Sequence, residues 1–205
     1  MEVLALAMLG AVLVLTFLVR VAISLRQTGT TGLIGPRPGA GPVEALSGVL
    51  FIGGIVLGAL SPYLVLQDEL GTIDSLDSDP IQAIGLVVAS IAGLTIFGAQ
   101  LGMGPSWRIG VSDDQGTDLI TTGWFSIVRN PIYTSMIAAW IGFFLMVPTW
   151  LGIAATIAAI IGLEMQVRLV EEPYLLRAHG DEFRAYAARV GRFVPGVGRL
   201  AGGPA

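Results

Sequence analysis

The stretch "IYTSMIAAWIGFFLMVPTWLGIAATIAAIIGL", residues 132–163, is almost unbroken apolar sequence. As one helix rising 1.5 Å per residue it would extend about 48 Å, too long for one crossing of a hydrocarbon core about 30 Å thick. Pro148, in "MVPTW", has no N–H to give to a continuous helix and marks the turn. The stretch is therefore predicted to form a hairpin of two short membrane helices. The second is expected to continue past Glu164 into the headgroup region.

The remainder of the chain suits the same setting. Its 205 residues are 54% hydrophobic and 13% charged, whereas soluble domains carry about 25% charged residues. Three more apolar runs, 3–23, 43–66 and 81–101, are long enough to span a bilayer. The first has Glu2 before it and Arg20 and Arg26 at its far end, the reverse of a cleaved leader, so it is expected to be retained. A Gly/Pro-rich connector, "TGTTGLIGPRPGAGP" (28–42), stops it. In the second run, Gly53, Gly54, Gly58, Ser61 and Pro62 would admit a close neighbour or a bend. The predicted fold is all-α and polytopic, with about five transmembrane helices and a C-terminal helical tail. Residues 1–101 hold three helices; residues 102–205 hold a connector, the hairpin (132–167) and the tail.

Arginine placement orients this arrangement. All eleven basic residues are arginine; they fall after the first run, after the third, and from Arg168 onward. The segment 67–80 carries five acids and no arginine, and the hairpin turn has none either. The positive-inside rule then puts the N-terminus outside, the C-terminus in the cytosol, and segments 102–130 and 168–205 on the cytosolic face. Abundant Ala and Gly with arginine as the sole base suggest a bacterial source, and so a bacterial cytoplasmic membrane. The absence of cysteine, with a single histidine, His179, leaves little to build a metal centre, and no metal is expected. Nothing in the sequence points to nucleic acid.

The chemistry-bearing residues lie in the two polar segments. The first reads "GTDLITTGWFSIVRNPIYTSM" (116–136), where Asn130 is a good N-cap and Pro131 suits a first helical turn without any ligand. The second reads "EMQVRLVEEPYLLRAHGDEFRAYAARVGRFVPG" (164–196). There Glu164, Arg168, Glu171 and Glu172 recur at spacings of three and four and are expected to share one helix face. "HGDEFRAYAARVGRF" (179–193) reads as a glycine turn followed by a short amphipathic helix, which an interfacial location would also explain.

Together, "G-x-x-x-x-x-R-N-P-x-Y", an apolar hairpin, "EExxL" and "GxxFxxY…RFVP" resemble the isoprenylcysteine carboxyl methyltransferase family and its phospholipid-methylating relatives. The resemblance covers about residues 105–196. It implies an S-adenosylmethionine-dependent integral membrane enzyme. It also implies that Thr117, Asp118, Leu119, Ile120, Phe125, Asn130, Pro131, Ile132, Tyr133 and Glu171 line the cofactor pocket, with Asn130 where relatives usually have histidine. For orienting the acceptor the resemblance points to Arg168, one position off the usual spacing, with Arg129 and Arg108 as alternatives.

Methyl transfer from a sulfonium chiefly needs alignment and exclusion of water, which a chain without cysteine can supply. A carboxylate acceptor would need only an arginine to orient it, whereas a hydroxyl or amine would need a base. Glu172 or Glu164 are the nearest bases, with Tyr186 and His179 as weaker ones. The expected acceptor is a lipophilic small molecule or lipid entering from the bilayer. The competing reading is a non-catalytic scaffold or transporter subunit on the same fold.

Overall fold

The computed structural model describes residues 1–33, 41–108 and 118–200. Helix α1 (Glu2–Thr28) is followed by α2 (Pro42–Leu66), α3 (Asp79–Gly102), α4 (Pro131–Met146) and α5 (Trp150–Met165). A π-helical turn, Gln166–Glu171, carries α5 without a break into α6 (Glu172–Arg189). No named strand occurs among the described residues; one isolated bridge joins Val128 to Gly191. Four helical stretches are long and apolar enough to cross a membrane: α1, α2, α3, and the run Trp150–Arg189 that begins with α5. At 16 residues, about 24 Å, α4 is the shorter apolar helix. The protein is an all-α, polytopic membrane protein.

The ends of these helices follow local chemistry. Pro lies in the first turn of α2, α3 and α4, where its missing N–H costs nothing. Gly29, at φ 72°, closes α1 in the left-handed conformation. The hairpin turns at Pro148 as predicted, and Thr149 caps α5 by accepting the Gly152 N–H at 2.8 Å. Its hydroxyl also meets Ser61 at 2.6 Å, fixing α2 to the turn.

The two legs of the hairpin pack less against each other than against earlier helices: α4 lies on α3, and α5 lies on α2. Small residues permit this. A Cβ on Gly142 would come within 2.6 Å of the Ala89 nitrogen, and one on Gly162 within 2.8 Å of the Ser47 carbonyl. Backbone thus meets backbone at both interfaces, the close approach expected of small residues in lipid, where packing rather than water exclusion joins helices. Helix α1 leans on α2 and contacts α3 and α4.

The end of the bundle that carries the starts of α2 and α4 and the ends of α1, α3 and α5 is tied by side chains. Ser47 donates to Gln166 at 2.9 Å, and Arg20 donates to the Gly104 carbonyl at 2.6 Å while lying over the Trp107 ring. Gly162→Val should lower the thermal midpoint of the detergent-solubilised protein by several degrees, because the α2 backbone cannot retreat. Gly53→Ala, where an added Cβ meets nothing within 4 Å, should leave that midpoint within a degree or two.

Candidate functional site

A cavity of about 520 Å³ opens at the tied end of the bundle, within the size range of small-molecule sites. The two polar segments wall one side. Asp118, Leu119, Ile120, Phe125, Asn130, Pro131, Ile132 and Tyr133 line it from the first, and Glu171 and Glu172 from the second. These are all the described residues that the sequence assigned to the cofactor, with one of the two assigned to catalysis. Thr117 lies outside the described residues.

Tyr133, one turn into α4, donates its hydroxyl to the Glu171 carboxylate, joining the two segments along that wall. Phe125 is buried, and its carbonyl accepts a 2.6 Å bond from Tyr186 of α6. Asn130 stands before α4 as expected but makes no capping bond with its side chain. Its amide instead donates to the Arg192 carbonyl at 3.3 Å, its backbone N–H donates to the same oxygen at 3.1 Å, and Thr134 donates to the Phe193 carbonyl at 2.9 Å. The "RNP" motif therefore grips the "RFVP" tail along its backbone.

Beneath this grip lies a buried ion cluster. The Glu172 carboxylate accepts from Arg129 Nη2 at 2.6 Å and from Arg192 Nη2 at 2.6 Å and Nε at 2.9 Å. The side chains of Arg129 and Glu172 are only 2% and 7% exposed. Arg129 spends its other donors on the carbonyls of Ala187, Val190 and Gly198, so no buried charge lacks a partner here. Hydrogen bonding to Glu172 holds the Arg192 guanidinium above its ordinary pKa range. Glu172 was expected as a base, yet both of its oxygens serve this clamp.

Arg168 is not brought to the cavity. It is exposed and pairs with Glu164 four residues back. The π turn accounts for this: its wider ring of backbone bonds breaks the 3.6-residue phase. Glu164 and Arg168 therefore do not share the face that carries Glu171 and Glu172 into the cavity. Arg108, one of the alternatives, does line the cavity and donates to the Tyr174 hydroxyl at 3.0 Å.

The opposite wall comes from helices in which the sequence showed no site signal. Phe17 of α1, Ser47 and Phe51 of α2, and Gln100 of α3 all reach the cavity. Gln100 is 3% exposed, and its amide oxygen has no hydrogen-bond partner among the described residues. A lone amide late in a charge-free span was the available signal for it. Among the described residues no group of acids and histidine is arranged to hold a metal.

Arg129→Ala would leave Glu172 buried with half its partners, at a cost of about 3–5 kcal/mol. A lowered denaturation midpoint and early proteolysis of the tail should report it. Arg168→Ala, at an exposed pair, should cost under about 1 kcal/mol.

The cavity-lining motifs fall within, or close to, a stretch with known relatives. Residues 81–182, about half of the chain, match the family model described as phospholipid methyltransferase. No curated protein and no solved structure matches the chain. Through residues 81–182 the chain belongs to the phospholipid methyltransferase family, in keeping with the membrane methyltransferases that its two motifs resemble.

Proposed function

We propose that the protein transfers a methyl group from S-adenosylmethionine to a lipophilic acceptor at the cytosolic face of a bacterial membrane. The observation that carries this reading is the convergence of both motifs on one cavity that α1, α2 and α3 line largely with apolar side chains. Such a cavity meets a polar cofactor from one side and a greasy acceptor from the other.

The residues present fit an adenosyl cofactor. Glu171 offers a carboxylate to a pair of ribose hydroxyls, with Tyr133 holding it in place. The buried Phe125 ring offers a stacking face, and Leu119 and Ile120 line the same cavity. When bound, the cofactor supplies a sulfonium-activated methyl and its own leaving group. What remains for the chain is to hold the acceptor in line and exclude water. Arg108 is placed to orient an acceptor carrying negative charge. Glu172, committed to two arginines, is reserved for structure. A neutral amine or hydroxyl would have to give its proton to another cavity group, for which His179 is available.

Calorimetric titration of S-adenosylhomocysteine into the purified protein tests the reading. Saturable binding is expected, weakened about 10- to 100-fold by Glu171→Ala through loss of charge-assisted hydrogen bonds. Asn130→His should retain binding, since this side chain serves the tail. An absence of binding to the parent protein would end the cofactor reading; full binding by Glu171→Ala would end only the assignment of Glu171.

A further inference from the structure

Helix α3 buries one stripe of its surface within the bundle, and small or apolar residues build it: Gly85, Ala89, Ala92, Gly93, Ile96 and Ala99. Gln100 continues the stripe in the last turn, where the same spacing calls for another apolar side chain. An amide taken out of water at such a position weakens the fold unless a partner meets it. The Gln100 oxygen is buried and has no partner among the described residues.

Gln100 also lines the main cavity. The other amides and acids there are committed. The Gln166 carbonyl accepts from Ser47, Glu171 accepts from Tyr133, and Glu172 accepts from Arg129 and Arg192. Of the buried side-chain nitrogens and oxygens in the lining, the Gln100 oxygen is the one left open among the described residues. The last torsion of a glutamine side chain is soft, so either end of the amide can turn to the cavity. A carbonyl oxygen only accepts, and what completes it is an N–H or an O–H.

The position of Gln100 favours one ligand over the other. The residues that fit the adenosyl cofactor come from the segment 118–133 and from Glu171, and none of them from α3. Gln100 shares the cavity with Phe17, Phe51 and Met136, apolar neighbours that suit a lipophilic molecule. We propose that Gln100 is a specificity-determining residue: its amide oxygen accepts an N–H or O–H from the polar head of the methyl acceptor. A site built around such a bond rejects an analogue whose hydrogen is replaced by methyl, because the amide is then left buried and unpaired. That the ligand is the methyl acceptor rests on the methyl-transfer reading; that this amide selects a hydrogen-bond donor in the cavity does not.

The test compares the parent protein with Gln100→Met, an apolar side chain of similar length, both in nanodiscs. If the amide serves a ligand and not the fold, Gln100→Met should hold or raise the thermal midpoint of the ligand-free protein. A fall beyond a degree or two would mark a structural amide and overturn the proposal. The probes are 1-decanol and 1-methoxydecane, titrated calorimetrically with empty nanodiscs as the blank. The parent should favour the alcohol over the ether about tenfold more than Gln100→Met does. An equal preference in both proteins, or no saturable binding of decanol to the parent, would overturn the proposal. Should Gln100→Met not fold, Gln100→Leu takes its place in the same comparisons. S-adenosylhomocysteine should bind the parent and Gln100→Met equally. Binding weakened tenfold by the substitution would give the amide to the cofactor and overturn the proposal. An absence of cofactor binding to the parent, with the alcohol preference intact, would remove the methyl-transfer reading and leave the selecting role of Gln100 standing.

Discussion

One carboxylate organises the site end of this protein. Glu172 is buried between Arg129, just before α4, and Arg192, in the tail beyond α6. Charges withdrawn from water persist only when geometry and further hydrogen bonds compensate their desolvation. Here each arginine meets the acid directly, and Arg129 adds three carbonyls. The consequence is positional. Three segments far apart in sequence are fixed together, and the cavity wall they share keeps its shape.

That clamp would enclose little without the packing below it. Gly142 and Gly162 bring α3 to α4 and α2 to α5 at backbone distance, leaving the hairpin legs separate enough for the cavity to reach between them. Two π-helical turns then direct side chains inward: Phe17 from the first, Gln166 and Glu171 from the second. A π turn sacrifices ideal helical bonding and occurs mostly at functional positions. In this protein both occurrences border the same space.

Much of this was legible in the sequence, and the reason differs by feature. Helix number, the turn at Pro148 and the bounds of α2 and α3 follow from runs of apolar residues and from proline, which act locally. The convergence of Asp118–Ile120, Phe125, Asn130–Tyr133 and Glu171 on one cavity was implied by the resemblance to the membrane methyltransferases. What eluded the sequence depends on phase or on distant partners. A regular 3.6-residue period grouped Arg168 with Glu171 and Glu172, and the π turn separates them. The ion pair across 43 residues gave Glu172 a structural partner where a base was expected. Arg20, read only as a topological charge, is buried over Trp107 in contact with the loop after α3. Neither partner announces the other in sequence.

The central claim is that this cavity brings a methyl donor and a membrane-borne acceptor together. The most direct measurement is transfer of tritium from methyl-labelled S-adenosylmethionine into the organic-soluble fraction, using purified protein reconstituted with extracted bacterial lipids. The account predicts time-dependent label in that fraction, lost with Glu171→Ala and retained with Arg168→Ala. Cofactor binding without any label in the lipid fraction would contradict it, whereas transfer unaffected by Glu171→Ala would remove only the role given to Glu171.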